Sequence, residues 1–263
     1  MEYLFDQWKQ LRKKLFSRYL FLFFDYDGTL APIAQTPQQA VIAEETKELL
    51  SKLSAKPNCA LAIISGRSLK DIKHAVGLKN ITYAGNHGLE MEGPQIKFES
   101  QVPPKSKSAL SNIYINLISK LSGIKGVLIE DKGLTVSVHY RLVKAQDIKE
   151  FSKEFFEIAE PFMAGNSLKI NEGKKVYEIR PAVAWNKGKT VLWLLARQQF
   201  LVKEDKVFPV YFGDDSTDED AFKALKSKGL TIFVGKPGSS KAAYYVKSTA
   251  QVNQFMEQIL DLK

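Results

Sequence analysis

Hydrophobic positions in the first hundred residues alternate between short continuous runs and helical spacing. The runs at residues 20–24 and 60–64 are typical of buried strands, and residues 81–84 predict a third strand. Between them, residues 44–54 and 69–76 carry apolar side chains at helical spacing. Strands that alternate with helices predict a parallel sheet with right-handed crossovers.

The middle of the chain has a different pattern. Gly93 and Pro94 predict a short hairpin turn, and two segments in which a helix precedes a hairpin come after Pro103 and Pro104. The predicted elements are a helix at 108–121, strands at 127–130 and 134–140, a helix at 148–159, and strands at 168–170 and 176–179. This order indicates an antiparallel sheet with helices on one face.

The strand and helix alternation returns after Pro181. The predicted elements are a helix at 189–199, a strand at 207–212, a helix at 218–226, a strand at 230–234 and a helix at 251–260. We therefore predict an α/β protein in which a Rossmann-like parallel-sheet core is split by an inserted α+β cap domain. The expected core is residues 1–104 and 182–263, and the expected cap is residues 105–181.

Composition narrows the function classes only a little. The net charge of +9 comes from scattered lysines without a nucleic-acid motif, so we expect no nucleic-acid partner. A positive electrostatic field would also favour a small anionic substrate. No apolar segment approaches the length of about 20 residues that spans a bilayer, and Arg18 interrupts the weakly signal-like N-terminus. The single cysteine, Cys59, fits a reducing compartment, and we expect a cytoplasmic protein. We also expect a monomer without a membrane partner.

Two carboxylates follow the first predicted strand, at Asp25 and Asp27. Ligands of open parallel sheets bind beyond the carboxyl ends of the strands. One of two carboxylates spaced in this way can attack phosphorus while the other handles the proton of the leaving group. Gly28 would allow the sharp backbone turn that such a site needs. The alternative is a plain acidic turn between a strand and a loop.

A second acidic segment follows the strand predicted at 207–212. Residues 214–220 contain five carboxylates that repel one another, and a hard cation such as Mg²⁺ would relieve that repulsion. The last three of these acids could instead complement the dipole at the start of a helix. That explanation fits Asp214 less well than it fits Asp218.

Two further segments could bind phosphate. Ser65, Gly66 and Arg67 follow the second strand and offer a hydroxyl and backbone N–H groups before a helix. Lys187 lies at the start of a later predicted helix. Taken singly, the first segment is a common strand-to-helix turn and the lysine is a common solvated side chain.

Together the four segments resemble the haloacid dehalogenase superfamily of phosphatases, and the insertion point resembles that of its members with a type-2B cap. A closer resemblance, to the trehalose-6-phosphate phosphatase family, is carried by residues 85–90, 130–132, 139–141, 178–181 and 213–220. It implies hydrolysis of trehalose 6-phosphate, a sugar phosphate, in trehalose biosynthesis. The core motifs leave open another phosphorylated sugar or glycoside, such as sucrose phosphate or mannosyl phosphoglycerate.

The resemblance also implies roles for individual residues. Asp25 would form an aspartyl-phosphate, Asp27 would act as acid and base, and Ser65 and Lys187 would hold phosphate oxygens. Mg²⁺ would be bound by Asp25, by Asp214 and by the main-chain carbonyl of Asp27. The residues expected to bind substrate are Gly66, Arg67, Asn86 and His87 on the core side, and Glu130, Lys132 and Glu178 on the cap.

Overall fold

The structure is a computed structural model that describes residues 1–165, 167–202 and 207–262. The chain divides into two compact units. Unit 1 contains Met1–Glu99 and Trp185–Lys263, and unit 2 contains Ser100–Ala184. The role of unit 1 as catalytic core and of unit 2 as cap stays a prediction.

Unit 1 is built on a nine-stranded sheet within the described residues. Its strands are β1 (Glu2–Tyr3), β2 (Tyr19–Phe24), β3 (Cys59–Ile64), β4 (Thr82–Gly85), β5 (Glu90–Gly93), β6 (Ile96–Glu99), β11 (Val207–Gly213), β12 (Leu230–Val234) and β13 (Tyr244–Val246). Their order is β1-β13-β12-β11-β2-β3-β4-β5-β6. Across the sheet, every neighbouring pair between the edge strand β1 and strand β4 is parallel. Strands β5 and β6 extend the sheet beyond β4 as an antiparallel hairpin.

Helices cover both faces of this sheet. They are α1 (Trp8–Leu15), α2 (Glu44–Ser54), α3 (Leu69–Val76), α6 (Lys187–Val202), α7 (Glu219–Leu225) and α8 (Thr249–Leu260). Strand β2 shows why both faces are buried, because Leu20, Leu22 and Phe24 pack with α1, α2, α3 and α8, whereas Phe21 and Phe23 pack with α6 and α7. Alternate side chains of one apolar run thus supply two hydrophobic clusters.

Unit 2 has its own sheet and its own core. Strands β7 (Leu128–Asp131), β8 (Val136–His139), β9 (Leu168–Gly173) and β10 (Val176–Pro181) form an antiparallel sheet in the order β7-β8-β10-β9. Helices α4 (Pro104–Leu121) and α5 (Ile148–Met163) bury their apolar faces against one side of it. The opposite side of the sheet is mostly polar and carries Glu130, Ser137, His139 and Glu178.

The pattern of apolar residues predicts most of these elements to within a few residues. It predicts no element before residue 20, where the structure has β1, a 3-10 helix at Leu4–Gln7 and α1, and it predicts no strand at β13. Helices α4 and α6 begin earlier than expected, at Pro104 and Lys187. None of the described helices has the length and apolar content needed to cross a membrane.

Candidate active site

Three neighbouring strands end at one point of the unit 1 sheet. Strand β2 lies between β11 and β3, and all three run parallel. Asp25 directly follows β2, Ser65 follows β3, and Asp214 follows β11. The crossover connections lead to opposite sides of β2, which makes this the topological switch point where open sheets bind ligands. All three side chains are buried.

A tight turn carries the chain away from Asp25. The carbonyl of Tyr26 accepts N–H groups from Thr29, Leu30 and Ala31 at 3.3, 3.0 and 2.9 Å. Gly28 has φ +91°, and a Cβ at this position would lie 2.2 Å from a carboxylate oxygen of Asp214. Only glycine therefore lets the turn pass beside Asp214.

Lys187 enters the site from the first residue of α6. Its Nζ lies 3.0 Å from Asp25 Oδ1 and donates to Asp218 Oδ1 at 2.8 Å, and the side chain is buried. Although burial disfavours its charge, Asp218 and Asp25 raise the pKa of Lys187 well above its ordinary value. The ammonium group is therefore held charged between two carboxylates.

The start of α6 is fixed by Asn186. Its Oδ1 accepts the N–H of Lys189 at 2.9 Å, and its Nδ2 donates to Asp220 Oδ2 at 2.9 Å. Gly188 passes so close to Asp220 that a Cβ would lie 2.4 Å from the carbonyl oxygen of that residue. These contacts hold the first turn of α6 against the first turn of α7 and so set the position of Lys187.

Asp218 connects the parts of the site. Its Oδ2 accepts the backbone N–H groups of Asp214 and Asp215 at 2.9 and 3.1 Å. Its Oδ1 accepts Lys187 Nζ and the Tyr211 hydroxyl, the latter at 2.7 Å. A carboxylate offers about four lone-pair positions. Asp218 is thus fully used within the protein and acts as a structural anchor.

A divalent cation fits the remaining acidic groups. Carboxylate oxygens of Asp25, Asp214 and Asp218 can all lie within 4.8 Å of one another, and all three residues are buried. Because Asp218 is saturated, Asp25 and Asp214 are the carboxylates suited to a metal. Buried carboxylates in excess over Lys187 form a hard oxygen site with uncompensated negative charge, which a divalent cation would neutralise.

The carboxylate of Asp27 points to a different partner. Arg67 donates to it through two nitrogens, at 2.8 Å to Oδ2 and 2.6 Å to Oδ1. The guanidinium also donates to the carbonyl of Pro37 at 2.6 Å and lies 4.7 Å from the ring centroid of Tyr26. Arg67, which we expected to contact the substrate, thus orients the carboxylate of Asp27, the predicted acid and base. Metal binding by the main-chain carbonyl of Asp27 stays a prediction.

The turn after Ile64 is joined to the turn after β4. Ser65 accepts the N–H of His87 at its carbonyl, at 2.9 Å, and Arg67 accepts the N–H of Asn86 at 2.7 Å. The Ser65 hydroxyl accepts the N–H of Arg67 at 3.1 Å. The serine that is expected to hold phosphate is therefore part of a fixed backbone frame.

Asn86 and His87 are buried in left-handed backbone conformations, with φ 48° and 57°. Asn86 Nδ2 donates to Glu90 Oε2 at 2.7 Å, and a Cβ on Gly66 would lie 2.8 Å from the His87 ring. Two successive left-handed residues are costly and are typical of functional sites. The structure thus brings Gly66, Asn86 and His87 together beside Ser65.

The three residues expected on the cap also come together. Backbone pairing puts Glu130 opposite Ser137 and Ser137 opposite Glu178, so the two glutamates share the polar face of the unit 2 sheet. Lys132 Nζ lies 3.9 Å from an oxygen of each glutamate. His139 Nε2 lies 3.1 Å from Glu130 Oε2. This face presents two carboxylates and an ammonium group to one region.

Neither the role of Tyr211 nor the partner of Arg67 is predictable from the sequence pattern. Tyr211 lies in an apolar strand where an aromatic residue signals only core packing. Arg67 is separated from Asp27 by 40 positions, and spacing does not show that they meet. The left-handed backbone at Asn86 and His87 likewise has no sequence signal apart from the neighbouring glycines.

This sheet, with aspartates at its switch point, has the α/β fold of haloacid dehalogenase-like hydrolases. The model of the trehalose-phosphatase family matches residues 23–253, and the chain belongs to that family. It is 32% identical over 258 residues to a trehalose 6-phosphate phosphatase of Zea mays, covering 92% of this chain and 70% of that protein. It is also 32% identical over 275 residues to a probable trehalose-phosphate phosphatase of Arabidopsis thaliana, covering 98% and 76%.

A solved structure shows the same fold. The C-terminal domain of a trehalose-6-phosphate phosphatase of C. albicans superposes with a TM-score of 0.84 at 24% identity. The comparison covers 100% of this chain and 98% of that domain. Membership of the family implies a divalent metal, in agreement with the buried acidic cluster.

Proposed function

We propose that this protein hydrolyses trehalose 6-phosphate to trehalose and phosphate, as a step of trehalose biosynthesis, through an aspartyl-phosphate on Asp25. The observation that carries the proposal is the buried Asp25 carboxylate, paired with Lys187 beside Asp214, in a chain of the trehalose-phosphatase family. Phosphoryl transfer needs charge neutralisation and in-line positioning more than covalent chemistry, and the Lys187 ammonium beside Asp25 supports the first of these.

In the first half of the reaction a carboxylate oxygen of Asp25 attacks phosphorus. The bond between phosphorus and the C6 oxygen of the sugar breaks, and Asp27 donates a proton to the departing oxygen. Lys187 and the Ser65 hydroxyl hold the phosphate oxygens. The positive charge of Lys187 is well placed for this, because it already lies 3.0 Å from Asp25 Oδ1.

In the second half, Asp27 accepts a proton from a water molecule. The water oxygen attacks the phosphorus of the aspartyl-phosphate, the acyl phosphate bond breaks, and Asp25 is restored as phosphate leaves. Two hydrogen bonds from Arg67 orient the Asp27 carboxylate in its ionised form, the form that accepts this proton. The Asp27 side chain is 41% exposed, so water can reach it.

Mg²⁺ is the cation that we assign to the acidic cluster. Asp25 and Asp214 would hold it through carboxylate oxygens, and the main-chain carbonyl of Asp27 is the third protein group in the proposal. When bound, the cation would offset the repulsion between a dianionic phosphate and the Asp25 carboxylate. Its preference for hard oxygen ligands matches the groups present.

Recognition of the sugar is assigned to Glu130, Lys132 and Glu178 in unit 2. Each glutamate can accept two hydrogen bonds from neighbouring hydroxyls, and Lys132 can donate. Gly66, Arg67, Asn86 and His87 in unit 1 complete the proposed substrate contacts. The absence of nucleic-acid and membrane partners, the monomeric state and the cytoplasmic location stay predictions.

The proposal is tested by phosphate release from a panel of phosphorylated sugars and glycosides. With MgCl₂ present, we expect kcat/KM for trehalose 6-phosphate to exceed that for sucrose 6-phosphate, mannosyl phosphoglycerate and glucose 6-phosphate by about 100-fold or more. EDTA should abolish turnover, and excess Mg²⁺ should restore it. Faster hydrolysis of another substrate would replace trehalose 6-phosphate, whereas activity that survives EDTA would contradict the metal requirement.

A further inference from the structure

Packing alone does not account for the hydroxyl group of Tyr211. The Tyr211 ring is fully buried on β11, directly in register with Phe23 of β2. It stacks on the Phe23 ring at 6.4 Å and meets the Phe222 ring edge-on at 5.7 Å. A phenylalanine would fill this aromatic cluster equally well, and a buried hydroxyl is costly unless it is hydrogen-bonded.

The Tyr211 hydroxyl is directed at the anchor of the active site. It donates to Asp218 Oδ1 at 2.7 Å, and the same oxygen accepts Lys187 Nζ at 2.8 Å. The other oxygen of Asp218 accepts two backbone N–H groups, from Asp214 and Asp215. Tyr211 thus supplies the fourth donor to a carboxylate that is itself fully buried.

The hydroxyl is a permanent donor under physiological conditions. Burial raises the pKa of Tyr211 well above its ordinary value, and the nearby charge of Asp218 raises it further. The proton therefore stays on the phenol oxygen, where the Asp218 carboxylate can accept it in a hydrogen bond. A charged acceptor in a dry environment makes this hydrogen bond stronger than a typical one.

We propose that Tyr211 is a positioning residue for phosphoryl transfer, which acts by fixing the Asp218 carboxylate that holds Lys187 against Asp25. Without the hydroxyl, Asp218 loses one of two donors on Oδ1 and its carboxylate can rotate. Lys187 then loses its fixed distance to the nucleophile, although no group that touches the phosphate has been removed. The inference rests on the proposed phosphoryl transfer at Asp25.

The test compares Tyr211→Phe with Tyr83→Phe. Tyr83 is also buried in the unit 1 sheet, but its hydroxyl bonds the backbone of Leu78. We expect Tyr211→Phe to lower kcat about 10-fold with KM changed less than about threefold, and Tyr83→Phe to leave both unchanged. Equal behaviour of the two variants would overturn the proposal.

Double variants show whether Tyr211 acts through Asp218. Adding Tyr211→Phe to Asp218→Asn should lower kcat by less than about twofold beyond Asp218→Asn alone, because residues that act as a unit are not additive. A further 10-fold loss would mean that Tyr211 acts by another route. If Tyr211→Phe does not fold, 4-aminophenylalanine is placed at position 211 instead, because it keeps a hydrogen-bond donor. A near-wild-type kcat of that variant supports the proposal, and a loss of its kcat contradicts it.

A readout without sugar turnover separates this inference from the proposed substrate. Beryllofluoride with Mg²⁺ mimics a phosphorylated aspartate, and ¹⁹F NMR reports the surroundings of its fluorines. Tyr211→Phe should shift these resonances and Tyr83→Phe should not, whereas unchanged resonances in Tyr211→Phe would count against the proposal. If the wild-type protein fails to hydrolyse trehalose 6-phosphate, the substrate is wrong, and 4-nitrophenyl phosphate and ¹⁹F NMR still decide the role of Tyr211.

Discussion

The carboxyl of Asp25 is held between a cation and other acids in a buried setting. Burial raises the pKa of Asp25 well above its ordinary value, Lys187 lowers it, and Asp218 and Asp214 raise it again. A raised carboxyl pKa in the folded state means that ionisation of Asp25 costs stability once the pH exceeds the unfolded-state pKa. Any negative charge that Asp25 carries at neutral pH is therefore held at the expense of folding free energy.

Replacing Asp25 with Asn separates chemistry from folding. The amide has nearly the same shape but is no nucleophile, so kcat should fall by about 10⁴-fold or more. The thermal unfolding midpoint should stay or rise at neutral pH, because the variant lacks the cost of ionising Asp25. Phosphate release and calorimetry measure the two effects. Asp261→Asn, in an exposed residue after α8, should change neither, and substantial activity in Asp25→Asn would mean another nucleophile.

Residues at strand ends are predictable in a way that residues inside strands are not. Asp25, Ser65 and Asp214 follow apolar runs, and parallel strands bring such positions to one edge. Tyr211 also faces the site, yet its place in an apolar run looks like core. Periodicity reports which face a side chain occupies, and the partner of its polar atom depends on long-range geometry.

At the scale of elements, the turn that follows β2 helps to set the spacing between the carboxylates of Asp25 and Asp214. Its backbone curls around the carbonyl of Tyr26, and Gly28 adopts φ +91° beside the Asp214 carboxylate. The loop after β11 is held by the Asp218 carboxylate through the N–H groups of Asp214 and Asp215. Two loops thus depend on each other for the spacing of Asp25 and Asp214.

Gly28→Ala should disrupt this spacing. A methyl group would lie 2.2 Å from Asp214 Oδ2, so the carboxylate must move, and a displacement of about 1 Å can cost about 100-fold in kcat. Gly77→Ala is the matched control, because Gly77 has φ +74° at the end of α3 with nothing within 4 Å of its Cβ position.

Both substitutions carry the same backbone strain of about 1 kcal/mol in unfolding free energy, measured by urea denaturation. Only Gly28→Ala should also lose activity and require more Mg²⁺ for half-maximal rate. If Gly77→Ala lost as much activity as Gly28→Ala, backbone strain rather than the collision with Asp214 would be responsible.

Element prediction succeeds where burial is uniform and fails where elements are short or mixed. Strand β2 is an uninterrupted apolar run of six residues, and α2 has clear leucine spacing, so both are predicted. Strands β1 and β13 have two and three residues, too few to show a period. Helix α1 is rich in charged residues and has two buried leucines, Leu11 and Leu15, so its apolar spacing is too weak to predict a helix.

At the scale of the whole molecule, the two units carry different chemistry. Unit 1 holds the buried carboxylates and the lysine that suit phosphate and a divalent cation. Unit 2 holds a polar sheet face whose paired charges suit neutral hydroxyl groups. Because unit 2 has its own hydrophobic core, changes on its polar face should leave the chemistry of unit 1 intact.

This division predicts that Glu130→Ala alters substrate preference more than turnover of a generic phosphate. Loss of charged hydrogen bonds to sugar hydroxyls should lower kcat/KM for trehalose 6-phosphate about 10- to 100-fold, and that for 4-nitrophenyl phosphate less than about threefold. Glu172→Ala is the control. Glu172 lies opposite Tyr177 in the backbone pairing, on the face of the sheet that the helices cover, so this substitution should change kcat/KM for neither substrate. Equal losses on both substrates in Glu130→Ala would show that Glu130 supports the phosphate chemistry or the fold, since sugar contacts are absent from the aryl phosphate.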